Sequence, residues 1–139
     1  MANVYNRYKE AAEKGEIDLL SDNIKCILVS GYTFDADNHQ YYSDVSGSEI
    51  SGTGYTAGGQ SLSNKSVTRD DANDVAIFDA DDVVWANSSI SADGAILYKD
   101  TGTASSSPLI AYYPFGETKV SSDSNFTVQW GSDGILRIS

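Results

Sequence analysis

The sequence holds one cysteine and one histidine in 139 residues. Cys26 lies in the apolar run Ile24-Lys25-Cys26-Ile27-Leu28-Val29, so neither an intrachain disulfide nor a cysteine-based zinc site can form. Its expected role is that of a small buried hydrophobe, and it leaves the redox compartment undiagnosed. Basic residues are also scarce, with 9 Lys+Arg against 20 Asp+Glu and a formal charge of -11. That balance repels phosphate backbones, which excludes general nucleic-acid binding and disfavours anionic membrane surfaces. No stretch approaches the ~20 apolar residues needed to cross a bilayer, and the opening Met1 to Lys9 has no apolar signal core. The expectation is a soluble protein retained by the cell that makes it. Three N-x-S/T triplets, at Asn64, Asn87 and Asn125, then read as chance in a Ser-rich chain.

What is present is a globular composition: 40% hydrophobic and 11% aromatic residues, with nine Tyr. A chain of this length buries about 68% of its unfolded surface, enough for one core, and residues 1–139 read as a single β-rich domain. Val4, Tyr5, Tyr8, Ala11 and Ala12 recur at three- and four-residue spacing, which predicts a helix over 3–14 stopped by Gly15. Beyond it, short β-branched and aromatic runs alternate with Asp/Ser/Gly turns. The predicted strands are 17–20, 24–30, 61–68, 75–79, 83–91, 95–100, 109–115, 125–131 and 135–138. The fold class is mainly β, an antiparallel β-sandwich or barrel with one short N-terminal α-helix.

Two hairpins are predicted. Around Asp133-Gly134, a three-residue loop with Gly134 left-handed pairs Trp130 with Leu136 and Val128 with Ile138. Phe126, Val128, Trp130, Leu136 and Ile138 then share a buried face, with Thr127, Gln129 and Arg137 on the other. Around Asp93-Gly94, a second turn joins Val83 to Ile90 with Ala95 to Tyr98, its register open. Residues 31–60 form a long Gly/Tyr-rich excursion. It is either an interaction surface or a lid held over the core by Tyr32, Phe34, Tyr41, Tyr42 and Tyr55.

Chemical motifs are few. Gly52-Thr53-Gly54-Tyr55-Thr56-Ala57-Gly58 misses dinucleotide-loop spacing by one residue, and no Walker lysine follows, so these glycines read as turns. His39 among loop carboxylates has no G-x-S-x-G partner motif and reads as a solvated histidine. The acid clusters Asp35/Asp37, Asp70/Asp71/Asp74 and Asp79/Asp81/Asp82 read as solvated turns. Asp79, Asp81 and Asp82 are the preferred metal candidates, although they lack the calcium-loop pattern and no metal or cofactor is expected. Separated carboxylates in a cleft are what a glycosidase would need.

The run Val4-Tyr5-Asn6-Arg7-Tyr8-Lys9, the segments Gly15 to Leu20, Tyr42 to Val45 and Ser51 to Gly59, the turn Phe78 to Val83, Tyr98 to Gly102 and the closing segment together resemble a family of small virion structural proteins of tailed bacteriophages. The resemblance spans nearly the whole chain and carries no catalytic or metal residues. It implies a non-enzymatic virion protein, above all a capsid decoration (cement) protein binding the major capsid protein lattice, with a neck or tail component as rival. A lattice position favours a homo-oligomer, most simply a trimer. The interaction residues expected are Tyr5 and Tyr8 on the helix, which either closes the core or docks on a neighbour, and Tyr41, Tyr42 and Tyr55 in the excursion. A carbohydrate-binding β-module is the alternative of a different class.

Overall fold

The computed structural model describes residues 2–139. The described residues are mainly β, with ten strands and two α-helices: β1 (Asn3–Val4), α1 (Asn6–Glu13), β2 (Ile24–Val29), α2 (Tyr42–Val45), β3 (Gln60–Ser61), β4 (Ser66–Asp70), β5 (Val75–Asp79), β6 (Val83–Ser88), β7 (Ser91–Lys99), β8 (Leu109–Val120), β9 (Ser124–Val128) and β10 (Leu136–Ile138). An antiparallel five-stranded sheet in the order β1-β8-β7-β2-β3 forms the centre. A three-stranded sheet β10-β5-β4 and a two-stranded sheet β6-β9 complete the β structure.

The central strands are covered on both faces, which is why β2 and β7 read as continuous apolar runs and not as alternation. In β2 and β7, Cys26 lies opposite Leu97 and Ile27 opposite Ile96. Cys26, Leu28 and Leu97 face a core shared with Trp85, Phe126, Val128, Phe78, Leu136, Tyr8 and Ala11. Ile27, Val29, Ile96, Tyr98 and Leu109 face a second core with Tyr5 and Val45, against which Tyr32, Phe34 and Tyr42 pack. One face of the sheet is therefore closed by the small sheets and α1. The other is closed by the 31–60 excursion, which folds down as a lid. Gly59 fastens its return: at φ +75 it passes so close to β2 that a Cβ would stand 1.9 Å from the Cys26 carbonyl oxygen.

Several expectations are corrected. The helix is shorter than 3–14, because Asn3 and Val4 instead pair with Tyr112 and Ala111 of β8. Tyr5, Tyr8 and Ala11 are buried, so α1 closes the core of its own chain. Residues 17–20 form a turn, in which the Asp18 carboxylate accepts the Leu20 and Ser21 amides; local side-chain bonding outcompetes the ladder. The 61–68 run breaks between β3 and β4, with Asn64 left-handed at φ 52.

Neither predicted hairpin forms. Gly134 is left-handed as expected, at φ +88. Yet β10 pairs with β5, Leu136 opposite Phe78, while Val128 of β9 pairs with Val83 of β6. Ile138 is exposed, and Trp130 stands beyond the end of β9. At Asp93-Gly94 there is no turn at all, because β7 runs straight through it. A Cβ on Gly94 would lie 2.6 Å from the Tyr112 ring, so the glycine makes room for an aromatic and does not reverse the chain.

Candidate interaction site

β8 and β9 are joined by only Ser121, Ser122 and Asp123, a connection short enough for a hairpin. They nevertheless do not pair: β8 bonds to β7 and β1, and β9 bonds to β6. The connection is bolted elsewhere. The Ser121 amide donates to the Ile90 carbonyl (2.9 Å), the Ile90 amide to Ser121 Oγ (3.2 Å), and the Asp123 amide to Ser89 Oγ (3.0 Å). The buried Ser88 hydroxyl lies 2.8 Å from Ser121 Oγ, 2.9 Å from the Trp85 carbonyl and 3.0 Å from the Ser124 carbonyl. Along β8, residues Phe115 to Thr118 stand opposite the single Asp93 of β7, a bulge that swings the strand outward.

The result is a slot between two sheet edges. It comprises a recess of about 580 Å³ between Val4 and Tyr113 on one side and Gln129, Trp130 and Arg137 on the other. A second recess of about 370 Å³ runs on between Lys119 and Val120 and the residues of β9. The two share Phe115, Val128 and Gln129 as lining. Aromatic pairs bridge the slot, Phe115 with Phe126 at 6.2 Å and Tyr113 with Trp130 at 5.2 Å between centroids.

Both polar handles of the second pair point inward. The Tyr113 hydroxyl donates to the Ile135 carbonyl (2.7 Å) and the Trp130 ring N–H to the Asp81 carbonyl (3.1 Å), so ring surfaces are what remain for a ligand. Burial pushes the Tyr113 phenol above its ordinary range, which keeps it neutral and a donor.

The backbone of the slot walls follows from strand alternation. The Trp130 amide donates to Asp82 Oδ1 (3.0 Å), and the Ser124 carbonyl faces Ser88, both on the β6 side. The main-chain groups of Asn125, Thr127 and Gln129 therefore point into the slot. On β8, the Ile110 carbonyl and Tyr112 face β1, which directs the Pro114 carbonyl to the same edge just beyond the end of β1. A proline there removes no ladder bond.

The predicted site residues lie elsewhere. Asp79 Oδ1 accepts the Ala80 amide (2.9 Å), Asp81 Oδ2 the Asn64 side-chain amide (2.5 Å), and Asp82 fastens Trp130. These three carboxylates thus cap turns, and among the described residues no group of three metal-ligating side chains converges. The tyrosines are used within the chain. The Tyr5 hydroxyl bonds that of Tyr32 (2.8 Å), which in turn bonds His39 Nδ1 (2.7 Å). Tyr8 is buried beneath α1, and Arg7 lies over the Tyr41 ring at 5.3 Å.

Tyr42 stacks on Tyr98 and Tyr55 on Trp85, and both hydroxyls donate to Glu49. Glu49 Oε2 also accepts the Gly58 amide at 2.9 Å, while Tyr55 Oη accepts the Leu28 amide at 3.1 Å. Burial, reinforced by the bonds to Glu49, raises both phenols well above the usual tyrosine range. Tyr42 thereby helps form the lid over the second core, whereas Tyr55 packs against the first.

Sequence reasoning missed Tyr113, Phe115, Gln129 and Trp130 as one surface. The available signal was Pro114 inside an otherwise central-looking strand run, a mark of an edge. Comparison of the chain with protein families, curated proteins and solved structures finds no match.

Proposed function

We propose that this chain is a non-enzymatic structural protein of a tailed-phage virion, a decoration (cement) protein that binds and stabilises the major capsid protein lattice. The observation that carries the reading is the slot. It is an elongated recess between two sheet edges, lined by aromatic faces and by Gln129, Asp133 and Arg137, which suits a polypeptide partner better than a small substrate. Binding the assembled shell more tightly than free subunits stabilises it by mass action alone. A charge of -11 is tolerated on the outer surface of a DNA-filled shell and would oppose a place lining the DNA channel. A homo-oligomer, a trimer by preference, matches lattice symmetry.

The test is co-sedimentation with expanded capsids and their thermal melting. Binding with a raised shell melting temperature is expected; absence from every shell preparation overturns the reading. Cryo-electron microscopy of the particle distinguishes a capsid position from a neck or tail one. One observation favours a second reading, a carbohydrate-binding β-module: Tyr113, Phe115 and Trp130 meet Gln129, Asp133 and Arg137 in one recess. A glycan array, run with and without EDTA, tests it.

A further inference from the structure

We infer that the slot between β8 and β9 is a receptor for one extended strand of a partner protein, which inserts between the two edges and joins the central sheet to the β6-β9 sheet. The inference deepens the decoration reading and rests on it only for the partner's identity.

Three observations specify the occupant. The first is hydrogen bonding: the backbone groups of Asn125, Thr127 and Gln129 face the slot, and among the described residues β9 has its one strand partner, β6, on the opposite side. Unpaired main-chain donors and acceptors at a strand spacing are met by an extended backbone. The second is the lining. Phe126 and Val128 are buried, and Phe115 and Trp130 half-buried, along one side of the opening. That arrangement takes a strand whose alternate side chains are apolar. The five residues from Asn125 to Gln129 match a guest segment of about 17 Å.

The third observation is charge. Where the whole chain has 20 acids to 9 bases, the slot is locally balanced: Lys119 pairs with Glu117 at 2.6 Å and Arg137 with Asp133 at 3.6 Å. The complementary guest is an uncharged segment, and the decoration reading supplies it from a different protein.

The test starts with the free protein. In amide hydrogen exchange, Asn125, Thr127 and Gln129 should exchange faster than Phe126 and Val128; equal protection along β9 overturns the inference. The intact chain is then used to select from a library of octapeptides with alternating apolar residues and no net charge. Selected peptides should protect the three slot-facing amides, and Thr127→Pro, which deletes one of them, should weaken binding about tenfold. Thr127→Val, which keeps the amide, should bind as the wild type does. No enrichment, protection elsewhere, or glycan binding at Trp130 in place of peptide binding overturns it. If peptides bind as described but capsids do not, the decoration reading falls and the slot stands. If capsids bind Thr127→Pro as tightly as wild type, the slot falls and decoration stands.

Discussion

The two faces of the central sheet are closed by opposite means. On one, residues 31–60 contribute Tyr32, Phe34 and Tyr42 to an aromatic lid, with Glu49 taking two tyrosine hydroxyls and the Gly58 amide. On the other, the small sheets cover the core yet stop short of β8, leaving ring faces and strand edges toward solvent. A long loop with satisfied polar groups can seal a sheet. A tight turn bolted in the wrong direction for pairing can hold one open.

That contrast can be broken in graded steps. Deleting residues 1–15 removes Tyr5, Tyr8 and Ala11 from both cores and should abolish cooperative unfolding in a thermal melt monitored by circular dichroism. A folded remnant would make α1 an accessory. Next is alkaline pH. Tyr5 and Tyr55 have phenols raised above the usual value of 10 by burial, assisted by their hydroxyl partners. The unfolded chain therefore loses these protons first, so their stabilising effect is full below pH 10 and declines above it. Each contributes a slope that grows through pH 10 toward a limit of about 1.4 kcal/mol per pH unit, measurable as urea midpoints between pH 9 and 11.

Glu49→Gln should cost about 1–3 kcal/mol by weakening the charged acceptor of Tyr42 and Tyr55. It should also speed exchange within the lid and leave β9 unchanged. Ser88→Ala acts on the open side. Losing the hydroxyl that links Ser121, Trp85 and Ser124 should cost about 1–2 kcal/mol and alter exchange near the slot before the lid. Val120→Ser is the mildest change: the side chain is 72% exposed, so stability should move by less than about 0.5 kcal/mol. Partner binding should weaken if the slot is used.

The sequence carried the local information. β5 at 75–79 and β2 at 24–29 coincide with expectation apart from one residue, since apolar patterning reports burial. Strand partners were less legible. Phe126, Val128 and Leu136 are all buried, as their spacing says, but in different sheets. A period of two tells a residue's face and nothing of its neighbour. Asp93-Gly94 misled for a related reason. The same dipeptide serves a turn or a glycine-shaped space, and only the distant Tyr112 decides between them. The slot escaped notice because it arises from a pairing that does not occur.

Cys26 gives the molecule a built-in reporter. Its side chain is fully enclosed on β2, between β7 and the two-residue edge strand β3, and burial pushes the thiol above its ordinary range. A thiol reagent attacks the thiolate, so labelling must await an opening that parts β2 from its surroundings. The labelling rate of the unmodified chain thus counts openings around β2, separately from any event in the slot.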